Sequence, residues 1–303
     1  MGGGILLIQL CLGLYKPIYF IETIIKLDNG YTYDVEEQIG YGGNASVHKC
    51  TDRITGEEYA IKFLLAISVK MRRRFQQEIR LLQEIKHDHL IKYTGSGILT
   101  ATTRGSKNVQ IPFLIMPLAT SNLYKFVNDR GFGNIQYEEY MPQFKGLALA
   151  LAKLHEKALH RDIKPENILI IGDTWVLSDL GLCKYIISAE GETDISRYNE
   201  HIGPRYWMSP ESLNQIYGNT DQISIRSDIY QLCSVFWFVV TGRHPSGILT
   251  EEDWTGPKSI LLPILSSLSH NVENRILDGN NLYKALYEAA LLPEKASLSK
   301  VAI

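Results

Sequence analysis

What most constrains the fold of this chain is a change of hydrophobic period near residue 120. Before it, short β-type segments alternate with turn signals. "YDVEEQIG", "ASVHKCTD" and "EYAIKFL" are separated by "YGGN" and "RITGEE", the rhythm of an antiparallel meander. One helix interrupts them: Phe75, Ile79 and Leu82 fall at i, i+4 and i+7 and make a single apolar stripe. "HLIKYTGSGIL" and "VQIPFLIMPL" read as two further strands, with the polar "TATTRGSKN" expected as a loop between them. After "MPLATSN" the pattern becomes helical. "YEEYMPQFKGLALALAKLHEK" is long and apolar-periodic, and "SDIYQLCSVFWFVVTG" is nearly all apolar and therefore expected to be buried. Strands first and helices later predict an α+β fold, with a small antiparallel β-rich lobe ahead of a larger, mainly helical one. The crevice between such lobes is the expected ligand site.

The chain has 303 residues, enough for one large domain or two lobes. Its formal net charge of −2 gives no global field that would recruit nucleic acid or an anionic membrane. The local basic run "KMRRR" (residues 70–74) reads as a solvated helix start rather than a nucleic-acid patch. Four cysteines, Cys11, Cys50, Cys183 and Cys233, lie far apart with no CxxC pair. That spacing argues against a disulfide framework or a zinc site and for a reducing, cytoplasmic setting.

The N-terminus is unusual. "ILLIQLCLGL" (residues 5–14) is an apolar run that "YKPIYFIETII" continues. A membrane span needs about 20 mostly apolar residues, and Lys16, Pro17 and Glu22 interrupt this one. "MGGG" lacks the basic start of a signal peptide. Leu6 stands where myristoylation after Gly2 would want Ser or Thr. The expectation is a strand or helix packed on the main domain, with membrane association as the minor alternative. The expected organisation is an apolar extension over residues 1–32 and a domain over 33–303, divided into a β lobe at 33–116, a hinge at 117–122 and a helical lobe at 123–303.

The chemistry-bearing residues recur in order along the chain. "IGYGGNASV" joins strand to strand, and Gly40 and Gly42 let backbone amides approach a bulky anion. A helix does not follow, so this is not a dinucleotide-binding turn. Alone, a glycine-rich hairpin is usually only a hairpin. Lys62 lies in a strand between Ala60, Ile61 and Phe63, where an unpaired ammonium would be costly. Glu78 on the apolar-striped helix can supply its partner; a plain surface salt bridge would contribute little. "LHRDIKPENILI" (residues 159–170) is the most informative stretch. Asp162 can accept a hydroxyl proton, Lys164 can neutralise a phosphoryl oxygen, and Asn167 can ligate a hard cation. Seventeen residues after Asp162, "SDLG" offers Asp179 as a second oxygen ligand. Two carboxylates alone would suit a hydrolase, but with Asn, two lysines and a glycine cradle the set fits phosphoryl transfer better.

These motifs together resemble the eukaryotic-type protein kinases: "GxGxxAxV", "AIK", Glu78, "HRDIKPEN", "DLG", "SPE" and "SDIYQLC" occur in that family's order. The resemblance covers about residue 34 to the C-terminus. It implies the bilobal protein kinase fold, with one regulatory helix in the small lobe, and ATP with Mg2+ as cofactors. Ile39, Gly40, Gly42 and Val47 would cover the nucleotide, and Ala60, Met116 (the gatekeeper), Leu118 and Ala119 would receive adenine along a hinge segment opened by Pro117. Lys62, positioned by Glu78, would hold the α- and β-phosphates. Asp162 would orient and deprotonate the acceptor hydroxyl, Lys164 would steady the γ-phosphate, and Asn167 and Asp179 would hold magnesium. Leu82, His160 and Leu180 resemble members of the hydrophobic spine, which is itself core packing. Partners would be protein substrates; the oligomeric state is open.

The departures from the family pattern are specific. Ala45 replaces the third loop glycine, Leu180 the phenylalanine of DFG, and Cys233 a helix glycine. The arginine that normally pairs with the glutamate of "SPE" is not evident in "LLPEKASLS", so Glu211 is left unpaired or uses Arg275 or Lys295. A missing arginine keeps a nucleotide-binding pseudokinase in play, although that reading predicts loss of Lys62, Asp162 or Asp179. A small-molecule kinase would generally lack "SPE". Arg161 resembles the arginine that answers an activation-loop phosphate, with Arg72–Arg74 as further docking charges and Ser188, Thr193, Ser196 and Tyr198 as acceptors. Pro204 looks like tyrosine kinases, whereas Lys164 is the serine/threonine form and acts on the phosphate itself. Serine/threonine specificity is therefore expected, with tyrosine or dual specificity as the alternative.

Overall fold

The computed structural model of the chain describes residues 7–12, 17–186 and 206–291. These form two compact units: residues up to Lys86 together with Ile91–Ala119, and His87–Leu90 together with the residues from Thr120 onward. Strands fill the first and helices dominate the second, as the change of period predicts.

The first unit is an eight-stranded antiparallel sheet, β1 (Leu7–Cys11), β2 (Pro17–Glu22), β3 (Ile24–Lys26), β4 (Thr32–Tyr41), β5 (Ala45–Asp52), β6 (Glu58–Leu64), β7 (Gly95–Thr103) and β8 (Asn108–Pro117). Their spatial order is β1-β2-β7-β8-β6-β5-β4-β3. Period-two alternation separates the two faces. Ile61 and Phe63 turn into an apolar core with Tyr33, Val35, Phe113 and Ile115, while Lys62 between them faces the other way. Helix α1 (Val69–Glu84) starts where Ser68 caps it, its hydroxyl accepting from the Met71 N–H, and it buries Phe75, Leu81 and Leu82.

One sequence reading changes in detail. The polar stretch expected as a loop is mostly strand: β7 runs to Thr103 and β8 resumes at Asn108. The chain reverses in between through Ser106, at φ 58°. Polar residues suffice there because both strands lie partly at the surface, and Gln110 bonds Thr100 across them. The apolar N-terminus forms strands β1 to β3, with Leu10, Ile21 and Ile25 in the core. No helix among the described residues is long and apolar enough to cross a membrane.

The second unit is built on helices α2 (Leu123–Arg130), α3 (Tyr137–His155), α4 (Pro210–Ile216), α5 (Ile225–Thr241), α6 (Lys258–Ser267) and α7 (Gly279–Leu291). Short strands β9 (Ser121–Asn122), β11 (Ile168–Ile171) and β12 (Thr174–Leu177) form one small sheet, and β10 (Ala158–Leu159) pairs with β13 (Lys184–Tyr185). Helix α5 is buried along nearly its whole length, which accounts for its lack of a polar face. Phe144 of α3 stacks on its Phe236 at 3.8 Å. Gly146 of α3 is required by close approach, because a Cβ there would collide with the His89 ring.

Candidate active site

In the sheet unit, strand register places the residues expected to meet a nucleotide on one face. Val47 pairs with Lys62 across β5 and β6, and Ala60 pairs with Met116 across β6 and β8. Because Ala60 and Lys62 are two residues apart, all four side chains share the face opposite the apolar core. Gly40 pairs with Val47 at the start of the glycine-rich hairpin, and the Gly42 N–H closes its tip on the Ala45 carbonyl at 2.9 Å. A Cβ added at Gly42 or Gly43 would touch nothing, and neither has a positive φ. The protein's own packing therefore does not explain these glycines, whereas close approach of a bulky anion would. Ile39, Val47, Met116, Leu118 and Ala119 are apolar but only partly covered, as an apolar ligand face requires.

The Lys62 ammonium donates to both carboxylate oxygens of Glu78 on α1, at 2.8 and 3.1 Å. Glu78 is buried and the Lys62 side chain nearly so. The pair is thus a desolvated one in which loss of either partner strands a charge, rather than an exposed bridge of little worth. The Lys62 ammonium also lies 6.0 Å from the centre of the Phe75 ring. Arg72 spends its guanidinium on the carbonyls of Gln110 (2.7 Å) and Ile67 (3.4 Å), so it braces α1 against β8. Arg74 is buried rather than solvated. The basic run is a brace in part because its helix packs directly on the sheet.

In the helical unit, Asp162, Lys164 and Asn167 converge. The Asn167 amide nitrogen donates to both the Asp162 carbonyl and its Oδ2, each at 2.8 Å. The Lys164 ammonium lies 3.3 and 3.4 Å from the Asp162 carboxylate oxygens. Burial pushes the Asp162 carboxyl up to about 6; Asp179 adds to this, and Lys164 and Asn167 oppose it. At neutral pH it remains mostly ionised yet is far more basic than an ordinary carboxylate, which suits a proton acceptor. Asp179 itself is exposed at φ 59°, and Arg161 stands at φ 68°. Left-handed backbone at two non-glycine residues costs about 1–3 kcal/mol each and is found where a site over-determines the chain.

What holds this loop is a residue to which the sequence reading gave no role. Asp228 of α5, wholly buried, accepts from the backbone N–H of His160 (2.7 Å) and of Arg161 (2.9 Å) and pairs with the His155 Nε2 (2.9 Å). Burial raises its carboxyl, but these donors outweigh burial and hold it below the usual range. Gln231, one turn on, accepts from the Ile163 N–H. Their signal was a carboxylate and an amide in an otherwise apolar helix. His160 is fully buried, its ring on the Ser178 carbonyl, and Leu82 and Leu180 are each buried in their own unit.

The question of the Glu211 partner resolves to Arg275. Two hydrogen bonds of 2.7 and 2.8 Å join the side chains end to end, both nearly inaccessible to water. Burial would raise the Glu211 carboxyl, but Arg275 and Ser227 together lower it. The arginine thus lies before α7 rather than in "LLPEKASLS", and of the alternatives the sequence left open Arg275 is the partner. Arg161 directs Nε to the Leu182 carbonyl (2.8 Å) and Nη2 to that of Cys183 (3.4 Å). Ser188, Thr193, Ser196, Tyr198, Pro204, Lys295 and Ala296 lie outside the described residues.

A magnesium ion would meet oxygen donors here. Asn167 commits its amide nitrogen to Asp162, which leaves its oxygen for a hard cation, and Asp179 adds an exposed carboxylate. No three His, Cys, Asp or Glu side chains converge as a cage among the described residues. Magnesium, which keeps several waters and shares phosphate oxygens, needs only one or two protein ligands. The residues fit.

Comparison with known proteins agrees with this geometry. A family model described as "Protein kinase domain" matches residues 33–270. A proline-rich receptor-like protein kinase of Arabidopsis thaliana is 28% identical over 262 residues, covering 82% of this chain and 34% of the relative. A "Probable serine/threonine-protein kinase" of Clostridium acetobutylicum is 26% identical over 218 residues, covering 70% of this chain and 30% of its own length. Another of the same description from Dictyostelium discoideum is 26% identical over 244 residues, covering 75% and 30%. The chain spans about a third of the length of these relatives.

Proposed function

The chain belongs to the protein kinase family, and from that premise we propose that it transfers the γ-phosphoryl group of ATP to serine and threonine hydroxyls of proteins, itself included. The observation that carries this reading is the cluster of Asp162, Lys164 and Asn167. Asp162, raised to about 6, would take the acceptor's proton. Its orientation is fixed by the Asn167 amide and by a loop whose amides are pinned on Asp228. Lys164 beside it would neutralise charge on the transferring phosphoryl group. In the sheet unit Lys62, held by Glu78, would bind the α- and β-phosphates under the hairpin of Gly40 and Gly42, and Ile39, Val47, Ala60, Met116, Leu118 and Ala119 would take the base. Magnesium, held by Asn167 and Asp179, would supply charge neutralisation at the phosphates.

Serine/threonine preference is supported by Lys164, whose ammonium acts on the phosphate itself, and by the names of two relatives. A protein acceptor is supported by an open pocket of about 800 Å³ beside the "SPE" segment, lined by apolar Met208, Leu265 and Leu268 together with Tyr230, His244 and Ser269, room for a side chain flanking the acceptor. Arg275 also removes the main argument for a pseudokinase, since Glu211 has its partner. The four free cysteines favour a reducing compartment, which we take to be the cytoplasm. For self-phosphorylation the acceptors are Ser188, Thr193, Ser196 and Tyr198, with Arg161 as the docking cation. Intact-mass measurement and peptide mapping after incubation with ATP and Mg2+ check this: one or more phosphates between residues 179 and 211 are expected, and full activity with none there would contradict it.

A further inference from the structure

The family match starts at residue 33, yet three strands of the sheet precede it. Without them the sheet would be β7-β8-β6-β5-β4, with open edges at β7 and β4 and one bare apolar face. Strand β2 covers the first edge, Tyr19 opposite Thr103 and Phe20 opposite Thr102. Strand β3 covers the second, with Ile24, Ile25 and Lys26 opposite Asp34, Tyr33 and Thr32. Only Thr23 separates β2 from β3, and its carbonyl accepts from the Val35 N–H at 2.7 Å. One continuous stretch therefore stitches both edges, and the sheet must curl until they meet. Leu10, Ile21 and Ile25 fill the face that curling encloses, with 5% exposure or less. Leu27 seats on Gly95, where a Cβ would come within 2.8 Å of its Cδ1.

Two contacts carry this segment to the nucleotide face. Gln38 sits where the β4–β5 register shifts on both sides, the kind of irregularity that re-aims a side chain. Its Nε2 donates to the Cys11 carbonyl at the end of β1 and to the Gly40 carbonyl in the glycine-rich hairpin, both at 3.3 Å. The Tyr19 hydroxyl donates to the Leu65 carbonyl at 3.4 Å, in the link from the strand of Lys62 to the helix of Glu78.

We propose that residues 7–12 and 17–27 form a strap that positions the nucleotide-binding residues of the sheet, with Gln38 as the positioning residue that couples it to the glycine-rich hairpin. The inference rests on the reading of that face as the ATP site. In the full chain, Gln38→Met keeps the length of the side chain and removes its donor. It is expected to raise KM for MgATP about 2- to 10-fold, the worth of one such hydrogen bond, with kcat altered less than about 2-fold. An unchanged KM overturns the coupling. Hydrogen exchange on the folded Ile21→Ala/Ile25→Ala variant tests the strap independently of activity. Faster exchange is expected at residues 40–47 and 64–71, with residues 144–154 of α3 unaffected; faster exchange confined to residues 7–27 overturns the proposal. If the native chain binds no MgATP, the functional reading fails while the exchange result still decides the strap.

Discussion

Asp162 works through its surroundings more than its identity. Burial raises its carboxyl to about 6, against the pull of Lys164 and Asn167. A proton acceptor must be ionised, so kcat/KM is expected to fall about tenfold per pH unit below about pH 6 in the free enzyme. A pH–rate profile that stays level down to about pH 4.5 would remove Asp162 from that role. Asp162→Ala is expected to lower kcat by about 10²–10⁴-fold while nucleotide affinity, measured by calorimetry, stays nearly unchanged. Arg275 is the other residue whose value depends on its partner. Arg275→Ala leaves Glu211 buried and unpaired, and urea titration is expected to show a loss of about 3–5 kcal/mol. The sequence alone could not choose Arg275 over Lys295, because pairing across 64 residues depends on where α7 begins.

Helix α5 sets the loop that carries Asp162 through Asp228, an element-level dependence with its own consequence. Asp228→Ala orphans the buried N–H groups of His160 and Arg161, each worth about 1–3 kcal/mol, and strands the His155 ring. A lower urea midpoint is expected, with a larger fall in kcat than in nucleotide affinity; an unchanged kcat would mean that the loop holds itself. At the start of α1, Ser68→Ala is expected to cost about 1 kcal/mol. Elements themselves were largely legible: strands β5 and β6 have the span of their alternating segments, apolar periodicity gives α1 and α3, and a nearly continuous apolar run gives α5. Their connections were less so. Residues 100–108 read as loop because polarity signals exposure, not the absence of a strand ladder. The roles of Asp228 and Gln231 were hidden because a buried polar residue in a helix shows its purpose only when the donors it meets are known.

For the whole molecule, the same burial predicts how stability depends on pH. Burial holds His48, His89 and His160 below the ordinary histidine value, each against opposing hydrogen bonds or nearby carboxylates. The unfolded chain then binds protons that the folded chain does not, so stability is greatest above about pH 6.5 and falls as pH drops below it. Glu211 and Asp228, held low when folded, add a further loss as pH falls from their unfolded range toward their folded values. Asp162, raised to about 6 when folded, works the other way below that pH, so thermal midpoints should fall from pH 8 to about pH 6; a midpoint that rises across that interval would contradict the assignment of neutral buried histidines. At this scale the succession of a strand-rich and a helical part was readable from the change of period. Closure of the sheet by the N-terminal strands was not, since an apolar run states that it will be buried but not against which edges.

The central claim, phosphoryl transfer to aliphatic hydroxyls, is tested most directly by phosphoamino-acid analysis. The chain and its Asp162→Ala variant are incubated with γ-labelled ATP, Mg2+ and generic protein acceptors, and the labelled products are hydrolysed and separated. Phosphoserine and phosphothreonine from the native chain, with none from the variant, are the predicted result. Label on tyrosine alone, or no transfer by a native chain that binds MgATP, would contradict it.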